Sequence, residues 1–341
     1  MTGEQTDLYH RGGGGEHPDK GQYIEEFVSG RTVTGLFAVA MVGRRLKKDG
    51  SPFLRLELQD RTGRIAAVAW EHGHLASRLE NGTILRVTGL VGTYQDKPQL
   101  TVSDIQVVTH RVPAEYFMTE SREGREELGA RLAKVLEGIE DEHLIRLLDE
   151  IFDGEGLREA WLEAPAAKKK HQAYLGGLAE HSLNMAEHAR WCAGFYPEIN
   201  GDLLVTAALL HDIGKIFEYR VTTVIDYSDT GRLEGHVVIG DRMVRRVADR
   251  IPDFPAALKM HLSHLILSHQ GRLEYGSPVL PKTLEALVLY ALDLLDSRVA
   301  AYRDIRESHR GEKRTWSDYD RLEERFWFLG LDGDEDADGG D

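Results

Sequence analysis

The feature that most constrains this fold is a change in the hydrophobic period of the chain near Pro113. Between residues 23 and 111, apolar and polar residues alternate, with β-branched residues and turn signals at short intervals, which is typical of β-strands. From Pro113 onward, apolar residues recur at i, i+3 and i+4, as they do in helices that bury one face. Because 341 residues exceed one average domain, we predict a multi-domain α and β chain with the β domain first.

The alternating region predicts five strands with a short helical stretch after the third. In the second strand, Leu54, Leu56 and Leu58 face one way and the intervening residues face the other. Five strands with a helix in this position are the plan of an OB-fold, a small Greek-key β-barrel, which we assign to residues 21–112. The predicted strands are Thr32–Val42, Phe53–Gln59, Arg64–Trp70, Thr83–Tyr94 and Gln99–Val108, with the helical stretch at His72–Leu79.

The rest of the chain predicts helices almost throughout. We assign residues 113–165 to a helical connector, which could equally be the first helices of the next domain, and residues 166–328 to an all-α domain. Within that domain, Thr222–Leu233 contains turn residues at Asp229-Thr230-Gly231 and is a candidate hairpin. The helical segments are Arg125–Ile139, Glu142–Phe152, Gly177–Ala193, Asp202–Phe217, Val237–Arg250, Phe254–Ser268 and Lys282–Arg303.

The two ends of the chain lack the apolar residues that a core requires. Residues 1–20 include four consecutive glycines, and residues 329–341 are mostly Gly and Asp, so we predict a disordered leader and a disordered acidic tail. The net charge of −15 is unfavourable for nucleic-acid binding. However, residues 332–341 hold six acids, whereas residues 22–112 hold twelve Lys or Arg against nine Asp or Glu. The total charge therefore does not exclude a basic groove on the barrel.

The single cysteine, Cys192, excludes an internal disulfide framework and is typical of a reducing compartment. The N-terminus lacks the basic-then-apolar pattern of a signal peptide, and no apolar run is long enough to cross a bilayer. We therefore expect a cytoplasmic protein without a membrane partner.

Histidine and aspartate residues recur at the predicted helices of the all-α domain. His211 and Asp212 follow the apolar run 203–210, which should be buried, and an ionised Asp there needs a cation or another partner. Neutral imidazole with carboxylate suits Mn, Fe, Co or Zn, whereas an all-oxygen set would favour Mg or Ca. A divalent ion can neutralise a phosphate oxygen and acidify its bound water, which supplies a nucleophile near neutral pH. The pattern comprises His181, His211, Asp212, His236, His269 and Asp293.

Two further charged residues fall close to this pattern. Lys215 lies one helical turn after His211, so we expect its charge to face the same place and to bind a phosphate. Asp296 lies one turn after Asp293 and is a candidate to orient a ligand through a hydrogen bond.

The order of these residues, including the motif His211-Asp212-Ile213-Gly214-Lys215, resembles the HD superfamily of metal-dependent phosphohydrolases. The resemblance implies that one metal is held by His181, His211, Asp212 and Asp293. In members with two metals, His236 and His269 hold the second, and Asp212 bridges both. We expect Asp212, Lys215 and His236 to be the catalytic residues of such an HD domain.

The chain also resembles the YhaM-type 3′–5′ exoribonuclease family over roughly residues 22–305, because that family carries an OB-fold ahead of its HD domain. This resemblance implies a Mn-dependent enzyme that removes nucleotides from RNA 3′ ends, with single-stranded DNA as a second substrate. One departure is Gln270, where many relatives have a second histidine after the one that matches His269. The matching segments are His171–Ser182, Ala208–Lys215, Gly235–Gly240, His264–His269, Leu273–Pro278 and Pro281–Ala286.

Barrels of this type bind single strands by combining a basic groove with aromatic stacking surfaces. Phe53 and Arg55 share the outward face of the second strand. We expect Trp70 in the core or at an interface. The alternatives are that Phe53 packs on a neighbouring domain and that the charged turn is only exposed to solvent. The candidate nucleic-acid-binding residues are Arg44, Arg45 and Lys47, which crowd the turn before the second strand, together with Phe53, Arg55, Tyr94 and His171.

The sequence thus predicts a metal-dependent 3′–5′ exoribonuclease that degrades single-stranded RNA to nucleoside monophosphates by attack of metal-activated water on the 3′-terminal phosphodiester. Mn²⁺ is the expected cofactor, with Fe, Co or Ni as alternatives and one or two ions per chain. An HD phosphohydrolase of small nucleotides and a non-catalytic nucleic-acid-binding factor remain as alternative functions, and homo-oligomerisation remains open.

Overall fold

The computed structural model describes residues 19–95, 97–109, 112–168, 172–309, 314–320 and 323–330, which form two compact units. The first comprises the chain up to Arg122 together with Tyr219–Asp229, and the second comprises Glu123–Glu218 and the chain from Thr230 onward. The predicted domain boundaries stay predictions. Of the predicted leader only residues 19 and 20 are described, and of the predicted tail only residues 329 and 330.

The first unit is a closed five-stranded barrel with the strand order β1-β2-β3-β5-β4, which confirms the predicted OB-fold architecture. All neighbouring strands are antiparallel except β3 and β5. The predicted alternation is observed, because Leu54, Leu56 and Leu58 are buried in the barrel core. The strands are β1 (Thr32–Leu46), β2 (Pro52–Asp60), β3 (Gly63–Ala69), β4 (Ile84–Tyr94) and β5 (Lys97–Val107), and a 3₁₀ helix at Gly73–Ser77 follows β3.

Strand β1 is longer than predicted because it pairs with two neighbours in succession. Its first half pairs with β4, its second half pairs with β2, and the register shifts between Val39 and Met41. A bulge of this kind bends a strand, which allows β1 to leave one neighbour for the other and close the barrel. Arg44 and Arg45 therefore belong to β1, and their predicted place in the following turn is wrong.

A buried ion pair connects the start of the described chain to the barrel. Lys20 is 5% exposed, and its Nζ lies 3.1 Å from Oδ2 of Asp60 at the end of β2. The same carboxylate accepts a hydrogen bond from the backbone N–H of Ile24. Because a buried charge is costly without a partner, this pair holds the segment before β1 against the barrel.

The second unit is helical, as predicted, and is built around one apolar helix. Residues 203–210 of α5 are all buried, as expected for a helix that other helices surround. Helices α1, α2 and α3 contribute to the same core as the later helices. None of the described helices combines the length and the apolar character needed to cross a membrane. The helices are α1 (Gly124–Glu137), α2 (Glu142–Asp149), α3 (Arg158–Glu163), α4 (Gly177–Phe195), α5 (Gly201–Leu210), α6 (Lys215–Glu218), α7 (Asp229–Glu234), α8 (His236–Ala248), α9 (Ala256–Ser268) and α10 (Leu284–Ser308).

The candidate hairpin exists, but its turn lies elsewhere than predicted. The strands are β6 (Tyr219–Val221) and β7 (Ile225–Tyr227), and Asp229-Thr230-Gly231 begins α7 instead of forming the turn. Gly231 is required by close packing, because a Cβ there would lie 2.2 Å from the carbonyl oxygen of Glu218. Within the first unit, the hydroxyl of Thr223 donates a 2.6 Å hydrogen bond to the carbonyl of Gly82, which holds the hairpin on the barrel.

Candidate metal centre

The turn between α5 and α6 carries His211 and Asp212, where the sequence predicted one continuous helix. Helix α5 ends at Leu210 and α6 begins at Lys215. Between them the backbone N–H groups donate to the carbonyl three residues earlier instead of four. The N–H of Lys215, for example, donates a 2.9 Å hydrogen bond to the carbonyl of Asp212. In a continuous helix, consecutive side chains point about 100° apart. The break in the helix allows His211 and Asp212 to approach the same point.

Gly214 explains why this turn can pack against the start of α8. A Cβ at Gly214 would lie 2.0 Å from the carbonyl oxygen of His236 and 2.8 Å from the backbone nitrogen of Gly240. A side chain there would push α8 away and displace His236 from the cluster. The glycine of the His-Asp-Ile-Gly-Lys motif therefore serves a close backbone approach.

The structure brings all six predicted metal ligands together from five separate segments. His181 lies within α4, His236 is the first residue of α8, His269 directly follows α9, and Asp293 lies within α10. The ligand atoms of His181, His211 and Asp293 all lie within 4.8 Å of one another, and so do those of Asp212, His236 and His269.

Asp212 lies at the centre of the cluster and is only 2% exposed. Its two oxygens face different histidines, so each oxygen would contribute to a different set of ligands. Oδ1 lies 3.4 Å from Nε2 of His236 and 3.5 Å from Nε2 of His269. Oδ2 lies 3.3 Å from Nε2 of His211, 3.9 Å from Nε2 of His181 and 2.5 Å from Nζ of Lys215.

The four imidazoles are oriented alike by acceptors outside the cluster. In each ring Nδ1 faces a carbonyl or carboxylate oxygen, so Nδ1 donates and Nε2 is turned towards Asp212. The acceptors are Ala208 O for His211 (2.9 Å), Ile266 O for His269 (2.7 Å), Asp296 Oδ2 for His181 (2.7 Å) and Glu218 Oε1 for His236 (3.0 Å).

The donor set fits a transition-metal cation. Oδ1 of Asp212 and Nε2 of His236 are buried and have no hydrogen-bond partner among the described residues. Buried polar atoms without a partner are rare in folded proteins and indicate an unmet ligand. Converging imidazole nitrogens and carboxylate oxygens are the ligands that Mn, Fe, Co and Zn accept. The cluster therefore has the chemistry of a site for a divalent metal.

Electrostatics around His181 favour a positive charge. Burial lowers the pKa of His181, but hydrogen bonds to Asp293 and Asp296 outweigh burial and raise the pKa to about 10. Burial raises the pKa of Asp293, but the hydrogen bond from His181 and the charges of the neighbouring imidazoles lower the pKa to about 2. The two carboxylates thus favour a proton on His181 that a bound cation would replace.

Lys215 lies beside Asp212, and its charge faces the cluster, as its position one helical turn after His211 predicted. Burial raises the pKa of Asp212, but the charges of Lys215 and His211 together hold that pKa well below its usual range. Burial lowers the pKa of Lys215, and the charge of Asp212 reverses this, so the pKa of the ammonium is raised. Both groups are charged, and Lys215 supplies a fixed cation beside the cluster.

Asp296 contacts His181 as predicted for an orienting group, and two further residues hold Asp296 in turn. Its Oδ2 accepts hydrogen bonds from Nδ1 of His181 and Nε2 of Gln172, and its Oδ1 accepts one from Nδ2 of Asn184. Sequence reasoning missed Gln172 and Asn184, although Asn184 lies three residues after His181 on the same helix face. His171 lies outside the described residues.

Gln270 occupies a position beside the cluster that bears on its chemistry. Its Nε2 lies 2.8 Å from Nε2 of His269. Because Nδ1 of His269 donates to Ile266, its Nε2 accepts, and the Gln270 amide donates to it. A cation at this nitrogen would have to displace the Gln270 amide.

The candidate nucleic-acid-binding residues lie on the barrel, and Trp70 joins them. Trp70 is 44% exposed and stacks on Phe53, with ring centroids 4.6 Å apart. Trp70 was expected in the core or at an interface; it does not lie in the core, because it follows the last residue of β3 at the end of the strand, and its place at an interface stays a prediction. Arg45 pairs with Phe53 and Arg55 is two residues further along β2, so these three residues share one face. We call Arg45, Phe53, Arg55 and Trp70 the stacking face.

The remaining candidates on the barrel lie outside the stacking face. Arg44 pairs with Leu54 and therefore points to the opposite side of the sheet from Arg45. Lys47 lies 3.2 Å from the carboxylate of Glu71, and Tyr94 ends β4 with 58% of its surface exposed.

Metal binding should release a proton from His181. Because the pKa of His181 is raised to about 10, the ring is protonated between about pH 6 and 8. The affinity for Mn²⁺ should therefore rise about tenfold per pH unit in this range and level off above the pKa. Isothermal titration calorimetry across pH measures this dependence. Asp296→Asn removes one group that raises the pKa of His181, so the Mn²⁺ affinity of this variant should level off at a lower pH. An affinity that is constant from pH 6 to 8 would contradict this picture.

Comparisons with known proteins agree with the two units. The family model described as an HD domain matches residues 178–298, and the model described as an OB-fold nucleic-acid-binding domain matches residues 38–108. Similar solved structures include the second OB-fold domain of replication protein A from Methanococcus maripaludis, with 22% identity over 27% of this chain and 98% of that chain and a TM-score of 0.23. Another is the single-stranded DNA binding protein from Thermus aquaticus, with 20% identity over 24% of this chain and 42% of that chain and a TM-score of 0.23.

These structural likenesses are too low to bear on function, whereas the two family models match the regions that the structure folds as a barrel and as helices. The chain carries an OB-fold barrel followed by a helical HD domain with a His–Asp cluster. Together they indicate a metal-dependent phosphohydrolase that has a nucleic-acid-binding domain.

Proposed function

We propose that this protein is a metal-dependent 3′–5′ exoribonuclease that degrades single-stranded RNA, and also single-stranded DNA, to nucleoside monophosphates. The observation that carries the proposal is the convergence of four imidazole Nε2 atoms on Asp212 in a chain whose barrel exposes an aromatic and basic face. A phosphohydrolase that acts on small nucleotides does not need an exposed aromatic and basic face on the barrel.

The cluster divides into two sets of ligands with Asp212 between them. His181, His211, Asp212 and Asp293 would hold one divalent cation, and Asp212, His236 and His269 would hold a second. Mn²⁺ is the cation we propose, with Fe, Co or Ni as alternatives. When bound, such cations neutralise phosphoryl oxygens and acidify water near neutral pH.

The accessible edge of the cluster indicates where a phosphodiester would approach. The side chains of His236 and Asp293 are each 19% exposed and that of Lys215 is 13% exposed, whereas those of His181, His211 and His269 are at most 4% exposed. We assign to Lys215 the binding of a non-bridging phosphate oxygen, because it is the fixed cation at this edge. We assign to His236 a catalytic role at the same edge as a ligand that would hold the second cation there.

The stacking face is the proposed contact for the single strand. Aromatic rings accept any base by stacking, and the guanidinium groups of Arg45 and Arg55 lie on the same face to meet the backbone. Arg44, Lys47, Tyr94 and His171 are proposed as additional contacts. Stacking does not distinguish ribose from deoxyribose, so we expect this face to hold both RNA and DNA single strands.

Exonuclease activity is tested with Mn²⁺ and a 5′-labelled unstructured RNA, which should shorten one nucleotide at a time. A blocked 3′ end should stop the shortening. Asp212→Asn should lower the rate by at least about 1000-fold with an unchanged circular dichroism spectrum, because it removes the shared ligand of both sets. Asp249→Asn, which changes an exposed carboxylate paired with Lys259, is the matched control and should retain the wild-type rate.

The alternative functions give different results in this assay. Turnover of small nucleotides without RNA shortening would support a small-nucleotide phosphohydrolase, and RNA binding without any turnover would support a non-catalytic factor. Full RNA degradation by the Asp212→Asn variant would contradict the assigned metal centre.

The stacking face is tested by Trp70→Ala. Loss of one stacking ring should weaken binding of a single-stranded RNA by about 5- to 150-fold, which corresponds to roughly 1–3 kcal/mol per stacked base. Fluorescence anisotropy in the presence of a chelator, which prevents cleavage, measures the dissociation constant. Trp191→Ala is the matched control, since Trp191 is also exposed and stacks on Phe195 at 4.8 Å but lies in the helical unit. Equal losses in the two variants would exclude a specific role for Trp70.

A further inference from the structure

Glu218, the last residue of α6, is a buried carboxylate that no motif in the sequence marks. It is 6% exposed and is the single charged residue within the apolar stretch Ile216–Tyr219. Its Oε1 accepts two hydrogen bonds from the same residue, one from the backbone nitrogen of His236 at 3.1 Å and one from Nδ1 of His236 at 3.0 Å. Both contacts lie within the helical unit.

His236 needs this carboxylate because of its place in the fold. His211 and His269 each directly follow a helix, and their Nδ1 atoms donate to the carbonyl three residues earlier. His236 is the first residue of α8 and is preceded by Gly235, whose φ is +74°. No preceding turn of the same helix supplies a carbonyl at this position. Glu218 supplies the missing acceptor from a different element.

The position of Glu218 is itself fixed by close packing. A Cβ at Gly231 would lie 2.2 Å from the carbonyl oxygen of Glu218, so the backbone of α7 presses directly on this residue. The carboxylate is therefore presented to His236 by a backbone with little room to move.

The two hydrogen bonds fix both the tautomer and the direction of the His236 ring. With Nδ1 donating to Glu218, Nε2 carries the lone pair, and it lies 3.4 Å from Oδ1 of Asp212. Nε2 is buried and has no hydrogen-bond partner among the described residues, as expected of an atom held ready for a ligand. Carboxylates that accept from a ligating histidine commonly fix its orientation and strengthen metal binding.

We propose that Glu218 is a positioning residue that holds His236 with Nε2 towards Asp212 and thereby sets the affinity for the second cation, the one bounded by Asp212, His236 and His269. This inference rests on the proposed metal centre but not on the nature of the substrate. It predicts that the two cation positions respond differently to changes at Glu218, because the ring of His181 is oriented by Asp296 and that of His211 by a backbone carbonyl.

The experiment is a titration of the purified full-length protein with Mn²⁺, followed by calorimetry and by electron paramagnetic resonance of the free ion. The wild type should bind two ions. Glu218→Ala should weaken the second ion by about 10- to 100-fold and leave the first within about twofold. Glu218→Gln keeps an oxygen that accepts from Nδ1, so it should restore most of the lost affinity. Glu234→Gln, which changes a carboxylate paired with Arg242 on the surface, is the control and should match the wild type.

A second measurement tests the proposal even if the Glu218→Ala variant does not fold. Nitrogen-15 spectra of histidine-labelled protein should show His236 protonated at Nδ1 in the wild type and in Glu218→Gln. A proton on Nε2 of His236 in the wild type would overturn the proposal. So would Glu218→Ala binding both ions as the wild type does, both ions being weakened equally, or a wild type that binds one ion only.

The failure of this proposal is distinguishable from that of the proposed function. Two-ion binding with the predicted response at Glu218, but without RNA degradation, would retain Glu218 as a positioning residue and reject the exoribonuclease.

Discussion

The helical unit is organised around a buried negative charge. Asp212 is 2% exposed, and the effective cost of burying an unpaired carboxylate is several kcal/mol. Lys215 offsets part of that cost at one oxygen, while Oδ1 has no hydrogen-bond partner among the described residues. The turn that carries this charge is anchored by α5, which is buried from Leu203 to Leu210. Stability and chemistry therefore depend on the same group.

Helix ends determine the geometry of the cluster. His211 and His269 directly follow α5 and α9, where a carbonyl of the last turn orients the ring, and His236 begins α8, where Glu218 replaces that carbonyl. Only His181 and Asp293 project from the interior of a helix. A centre assembled from termini has short, rigid connections to the core. The close approach of Gly214 to His236 shows how little the backbones can shift without moving a ligand.

Much of the fold and of the candidate metal centre could be predicted from the sequence, because the patterns that indicate them are local. The change of period predicted the order of barrel and helices, residue chemistry marked His211 and Asp212, and the resemblance to the HD superfamily implied which residues are their partners. What the sequence could not supply depends on contacts between distant segments. The break after Leu210 depends on the packing of Gly214 against α8, and the extent of β1 depends on a bulge between two neighbours. Trp70 was expected in the core or at an interface, and its exposed place beside Phe53 depends on where β3 ends.

Anomalous diffraction from crystals grown with Mn²⁺ tests the central claim most directly, since it locates cations without reference to activity. We expect one peak at coordination distance from Asp212, His181, His211 and Asp293, and a second peak near Asp212, His236 and His269. Strong peaks elsewhere with none at Asp212 would contradict the assignment of this cluster as the metal centre.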